Sequence, residues 1–275
     1  MDRLTQRRQL LTAAFFATSG LGSVLCINSA ASAQSIASLY PSTPATTTVT
    51  VTGTVTALLG VTSSGTSGVL TDSTGSILLF EIPTTTYTGN YNDVITVTGT
   101  VASFEDTPEL ESGVSVSVVT PGNGVLAPAT VVTIPQFNGA GGNPNDTDSA
   151  NTNAIPPLAQ AYVELQDVTL TSSGATVTSL AADENYTLTD TSGNTTDLFT
   201  EDSSKETPLV IAAWEGVSAS LLAGPMDISG YVDVFKGEPE MYPLIFAPVP
   251  EPATLGLLGL GSLMLLARRR RGDSA

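Results

Sequence analysis

The chain has 275 residues, long enough for one large domain or two small ones, with 26 acidic and 9 basic side chains and a net charge of −17. It contains no histidine and one cysteine, Cys26, which excludes imidazole proton shuttling, zinc sites built from Cys and His, and any Ser-His-Asp triad. The acidity is concentrated between the two ends: every acid except Asp2, Glu251 and Asp273 lies there, with only Lys205 and Lys236 to oppose them, for a net charge of −21. Such a body repels phosphate backbones and anionic membrane surfaces, so no nucleic-acid partner is expected.

The first 33 residues read as a secretory signal. Arg3, Arg7 and Arg8 form a positive start, Leu10 to Leu25 an apolar stretch, and Ala31-Ser32-Ala33 an A-x-A cleavage site before Gln34. Cleavage there removes Cys26, so no disulfide is available to the mature chain. Residues 34–47, rich in Ser, Thr and Pro, read as a flexible leader.

The middle of the chain carries an internal repeat. Leu70-Thr71-Asp72-Ser73-Thr74-Gly75 returns as Leu188-Thr189-Asp190-Thr191-Ser192-Gly193. Val97-Thr98-Gly99-Thr100-Val101 through Phe104 is echoed by Ile228-Ser229-Gly230-Tyr231-Val232 through Phe235, and Pro108-Glu109-Leu110 by Pro239-Glu240-Met241. The spacing grows from 118 to 131 residues, which places an insertion in the second copy, around residues 203–218. Alternating apolar and Thr or polar residues predict half-buried strands, opened by Val49, Val51, Val55 and Leu58 in the first copy and by Val163, Leu165, Val168 and Leu170 in the second. The two Asp-x-x-Gly segments predict tight turns, with Asp as a side-chain cap and Gly at positive φ. Gly99 and Gly230, inside predicted strands, mark bulges or bends.

Boundaries follow from this pattern: a β domain over 48–120, a linker or long loop over 121–157, and a second β domain over 158–247. The linker holds a Gly/Asn/Pro run at 139–146 and one short apolar run, Val131-Val132-Thr133-Ile134, expected to pack on either domain as a strand. The order V-x-G-x-V, L-T-D-x-x-G, V-x-G-x-V and F-x-x-x-P-E resembles the OB-fold modules of secreted bacterial proteins. The resemblance implies two tandem OB-like Greek-key barrels, with immunoglobulin-like sandwiches as the alternative all-β architecture.

Residues 248–275 close the chain. Val249-Pro250-Glu251-Pro252 is followed by an apolar stretch from Leu255 to Ala267 and then by Arg268, Arg269, Arg270 and Arg271. Ala253 to Ala267 would span roughly 22 Å as a helix, short against a hydrocarbon core of about 30 Å. The arginines act as a stop-transfer cluster that holds this end on the cytoplasmic side. Motif, apolar helix and arginines in that order resemble the PEP-CTERM sorting signal. The resemblance implies an exosortase-type processing partner, a transient membrane intermediate through the C-terminal helix, and delivery to the cell surface or extracellular matrix. An uncleaved single-pass anchor is the alternative.

Carboxylates are the catalytic groups the chain could field. Glu105, Asp106, Glu109 and Glu111 cluster at the end of the first copy, with Glu238 and Glu240 at the matching place in the second. Paired carboxylates suit glycoside hydrolysis, but exposed acids on a strand edge also keep that edge soluble. Asn143, Asn145, Asp146 and Asp148 supply oxygen ligands of the kind calcium takes, without matching an EF-hand spacing. Of the aromatics, Phe80, Phe104, Phe199 and Phe235 are expected in the cores, and Trp214, in the insertion, is expected to be exposed. The chain therefore reads as a non-enzymatic structural or adhesive surface protein without a resident cofactor. The alternatives are a binding module for extracellular polysaccharide or a divalent cation, and an accessory protein of an extracellular nuclease or hydrolase.

Overall fold

The computed structural model describes residues 33–39, 47–104, 107–139, 158–201, 208–235 and 238–249. The expected signal helix and C-terminal transmembrane helix lie outside these residues, as do the run at 143–148 and Glu105 and Asp106. Among the described residues no helix is long and apolar enough to cross a membrane. The described residues are mostly strand, as the β-branched, Thr-rich composition predicts.

Five strands make the first barrel: β1 (Thr48–Val61), β2 (Thr66–Thr71), β3 (Ser76–Ile82), β4 (Val94–Phe104) and β5 (Thr107–Thr120). They pair in the order β1-β2-β3-β5-β4 and close on β1, so this sheet forms a barrel rather than half of a sandwich. Every pairing is antiparallel except β3 with β5, where Leu78 faces Glu109 and Leu79 faces Leu110. The alternation of β1 decides which side chains enter the barrel. Val49, Val51 and Val55 point inward, while Thr50 and Thr52 join hydroxyls with Thr98 and Thr96 of β4 at 2.8 Å on the outside. A bulge between Val55 and Ala57 then reverses the parity. Leu58 packs inward beyond it, and Ala57 and Leu59 turn to the outer face.

The second unit repeats this plan with β7 (Tyr162–Ser172), β9 (Glu184–Thr189), β10 (Thr195–Thr200), β11 (Met226–Phe235) and β12 (Glu238–Pro248). The sheet runs β11-β12-β10-β9-β7, and a further β11–β7 pairing joins its ends, so these five strands form a ring in the same order as the first barrel. Its one parallel pair within the ring is again the third strand with the fifth, Asp197 facing Glu240 and Leu198 facing Met241. Two short strands, β6 (Thr130–Val131) and β8 (Ala175–Thr176), extend β7. Both predicted glycine bulges are present: pairing shifts register across Gly99 between Thr98 and Thr100, and between Ser229 and Gly230. A Cβ on Gly230 would stand 2.1 Å from the Tyr242 carbonyl oxygen, so the strand passes closer there than any other residue allows.

Each barrel is closed by a short turn of helix that precedes its first strand. Residues 34–39, expected as leader, belong to the first barrel: Ile36–Leu39 form a 3-10 turn whose Ile36 and Leu39 are fully buried in its core. In the second, the expected strand at 131–134 is shorter. Thr130 and Val131 pair in parallel with β7, and Thr133 then caps α1 (Ile134–Asn138), reciprocated by Gln136. Ile134 and Phe137 of α1 enter the second core.

The outer faces of the two barrels meet. Ala57, Leu59, Val69, Leu78 and Phe80 of the first form one apolar cluster with Tyr162, Phe199, Tyr231 and Tyr242 of the second. The insertion supplies α2 (Pro208–Trp214), whose Val210, Ile211 and Trp214 complete the cluster, followed by α3 (Ala219–Leu222). Gly60 lies so near Pro208 that an added Cβ would come within 2.1 Å of the proline ring.

Candidate functional site

The repeated aspartate turns have the predicted chemistry and different second tasks. Asp72 Oδ1 accepts from the backbone N–H groups of Thr74 and Gly75 and from the Thr74 hydroxyl. Its Oδ2 accepts from Ile36 N–H at 2.8 Å, which ties the turn to the N-terminal plug. Burial opposes ionisation of Asp72, but the Thr74 hydroxyl and the N–H groups of Ile36, Thr74 and Gly75 outweigh it and hold the carboxyl below its ordinary range. Asp190 Oδ1 accepts from Ser192 and Asn194 N–H, and its Oδ2 takes the Asn194 side-chain amide instead of a distant segment. That amide is the main cause of its lowered pKa, with the turn N–H groups adding to it. Gly193 has the expected positive φ of 84°. Gly75 is not among the residues at positive φ; its place in the turn faces Ile36, whose Cγ2 would stand 3.8 Å from an added Cβ.

A third carboxylate, Asp93, was not singled out by pattern. It accepts from the Tyr87 hydroxyl at 2.8 Å, Asn90 Nδ2 at 3.0 Å and Gly122 N–H at 2.6 Å, and so ties the β3–β4 connection to the segment leaving β5. Burial disfavours its charge, but the donors of Gly122, Asn90 and Tyr87 prevail and lower its pKa. The phenol of Tyr87 is pushed up, by burial first and by Asp93 second. The sequence cue was the Asn-rich run Asn90-Tyr91-Asn92-Asp93 before a strand.

The carboxylates weighed for hydrolysis divide by position. Glu109 and Glu240 are buried at equivalent places on β5 and β12, Glu111 is half-buried and Glu238 is exposed. On the outer face of the second barrel, Asp197, Glu240 and Asp233 sit side by side across β10, β12 and β11; the matching row of the first barrel is Leu78, Glu109 and Ala102. The row lies along one sheet surface, whereas glycoside hydrolysis needs two carboxyls facing across a bound sugar. Gln160 Nε2 donates to Asp233 Oδ1 at 3.1 Å. Among the described residues no group of three acidic or cysteine side chains is placed to hold a metal ion. The calcium candidates Asp146 and Asp148 lie outside those residues.

The aromatic expectations change most. Trp214, expected to be exposed, is buried between the barrels, because α2 carries it into the apolar cluster. Phe80 and Phe199 are buried in that same cluster rather than in their own barrel cores, since the residues beside them, Leu79 and Leu198, take the inward positions. Phe199 and Tyr242 rings stand 5.5 Å apart and Tyr231 and Tyr242 rings 4.8 Å apart, both tilted. Phe235 is half-buried. These rings hold the barrels together and leave no stacking platform among Phe80, Phe199 and Trp214.

At the C-terminal end, β12 runs to Pro248, whose register partner is Met226, and Val249 follows directly. The sorting residues Pro250, Glu251 and Pro252 and the cluster Arg268 to Arg271 lie beyond the described residues, as does Ala31; Ala33, at the other end, is exposed.

Comparison with known proteins bears on this end. The family model of the PEP-CTERM protein-sorting motif matches residues 248–271. No curated protein matches the chain. A solved structure titled "Structural mimicry for functional antagonism" overlaps 72% of this chain and 88% of its own, with 9% identity and a TM-score of 0.35, too distant to carry an argument. The chain thus carries a PEP-CTERM sorting motif, the substrate signal for exosortase-type processing, and this marks an exported protein sorted to the cell surface or beyond.

Proposed function

We propose that this protein is a non-enzymatic component of the bacterial surface or extracellular matrix, delivered as a joined pair of OB-like barrels after both ends are removed. The observation that carries the reading is the sorting motif at residues 248–271. The N-terminal segment serves as an export signal cut between Ala33 and Gln34. The apolar stretch from Leu255 to Ala267 then holds the chain in the membrane, with Arg268 to Arg271 inside, until an exosortase cuts near Pro250-Glu251-Pro252. Two features of the body support a structural role. Phe80, Phe199 and Trp214, three of the aromatics a ligand could stack on, are packed between the barrels, and the carboxylates with well-defined geometry, Asp72, Asp93 and Asp190, are each engaged by backbone donors.

Intact mass and fractionation of the protein from its own host test this. Loss of both ends, near Gln34 and near Pro250, with the body at the surface or in the medium, is the expected result. A membrane-bound product that retains Arg268 to Arg271 would replace sorting with permanent anchoring. Turnover of a polysaccharide or nucleic acid by the purified body, lost on Glu240→Gln, would overturn the non-enzymatic reading.

A further inference from the structure

The first barrel is plugged by the residues that begin at the proposed N-terminal cut. Gln34 donates its backbone N–H to the Thr50 carbonyl at 2.7 Å and bridges Val51 in parallel. Ile36 N–H is held by Asp72 Oδ2 at 2.8 Å and Ala37 N–H by Thr74 Oγ1 at 3.0 Å. Ile36 and Leu39 are 0% and 1% exposed and share the core with Val51, Leu70 and Ile77. The second barrel is plugged in the same way from inside the chain: a short parallel strand, then Ile134 and Phe137 at the same three-residue spacing. The N-terminal plug is therefore a working part of the repeat and not a remnant of the leader.

A peptidase takes the residues on both sides of its scissile bond as an extended strand and pairs with their backbone. In the folded protein Gln34 has already given its one N–H to Thr50, and Ile36–Leu39 are wound into a 3-10 turn. Drawing them out would unplug the barrel. We infer that hydrolysis of the Ala33–Gln34 bond must precede closure of the first barrel, so that folding itself withdraws the processing site and makes Gln34 the first residue of the folded unit. The inference rests on the export reading above. In the cut, the water oxygen bonds to the Ala33 carbonyl carbon, the C–N bond breaks, and the proton passes to the Gln34 nitrogen. The new amine keeps an N–H for Thr50.

The test uses the full-length precursor, unfolded in urea and diluted into detergent with a bacterial signal peptidase, added either at once or after refolding is complete by circular dichroism. Cutting at Ala33–Gln34 should be at least about tenfold slower once the chain has refolded, because only the locally opened fraction is a substrate. Asp72→Ala, which releases Ile36 N–H, should raise the rate for the refolded chain, and Asp190→Ala, in the matching turn of the other barrel, should not. Equal rates for the refolded and unfolded wild-type precursor would overturn the inference and leave the export reading standing. Failure of both forms to be cut at Ala33–Gln34 would remove the cleavage site itself, and the inference with it.

Discussion

The two barrels share strand order, parallel third-to-fifth pairing, bulge, aspartate turn and plug, and they differ chiefly on their outer faces. Where the first barrel has Thr48, Thr100 and Glu111, the second has Tyr162, Tyr231 and Tyr242 at the same register positions. The connection from third to fourth strand differs as well: Asp93 ties it down in the first copy, while α2 and α3 are inserted in the second. A repeat thus preserves what closes a barrel and varies what the barrel touches. The added aromatics and α2 both lie in the cluster between the copies, so the second copy has been fitted to hold the first.

The two plugs should matter most. Phe137→Ala should destabilise the second barrel by about 3–5 kcal/mol and Leu39→Ala the first by about 2–5 kcal/mol, read from urea unfolding. If only one of the two matters, the plugs are not equivalent parts. The interface comes next. Phe80→Ala should also cost about 3–5 kcal/mol, but with a distinct signature. Trp214 is the chain's one tryptophan and lies in the same cluster, so its emission should shift to the red while the far-ultraviolet circular dichroism persists. An unshifted emission would mean that the barrels stay joined without Phe80. A smaller effect, about 1–3 kcal/mol, is expected for Gly60→Ala, whose Cβ would strike Pro208.

The aspartates give the finest distinction. Asp72→Ala should cost about 1–2 kcal/mol, because it strips an acceptor from Ile36 N–H as well as from its own turn. Asp190→Ala should cost less, since every donor it loses is local and near water. Both groups, with Asp93, have a folded pKa below the unfolded value. Their stabilisation is therefore complete above the ordinary carboxylate pKa, about 3.9, and is lost as pH falls through the lower folded values. A thermal unfolding series from pH 6 to pH 2 should show a steep fall below about pH 4, and Asp93→Asn should flatten it. A flat wild-type profile would deny these turns their electrostatic role.

Much of the architecture was legible along the chain. Period-two alternation marked the strands, the Asp-x-x-Gly segments marked turns, and Gly99 and Gly230 marked bulges, because each is a local requirement of backbone geometry. The plugs were missed although Ser35-Ile36-x-x-Leu39 and Thr133-Ile134-x-x-Phe137 are alike. A single helical turn has no periodicity to detect, and Ser, Thr and Pro around it read as linker. For another reason, Trp214, expected to be exposed, is buried, and Phe80 and Phe199 are buried as expected but between the barrels rather than inside them. An outward residue on a strand obeys the same alternation whether water or a second barrel covers it. The continuous run Ile77-Leu78-Leu79-Phe80 was the available sign of a strand buried on both faces.

By itself the sequence determined the all-β repeat, the excluded imidazole chemistry, and the sorting motif that marks an exported protein. These depend on composition, on two-residue periodicity and on a contiguous motif. Only the tertiary structure decided that Gln34 pairs with the first strand, that Asp72 anchors the plug behind it, and that the odd aromatics bind one copy to the other. Those facts rest on contacts between residues distant in the chain, Ile36 with Asp72 and Phe80 with the cluster that holds Trp214, and a linear pattern does not record which buried faces find each other.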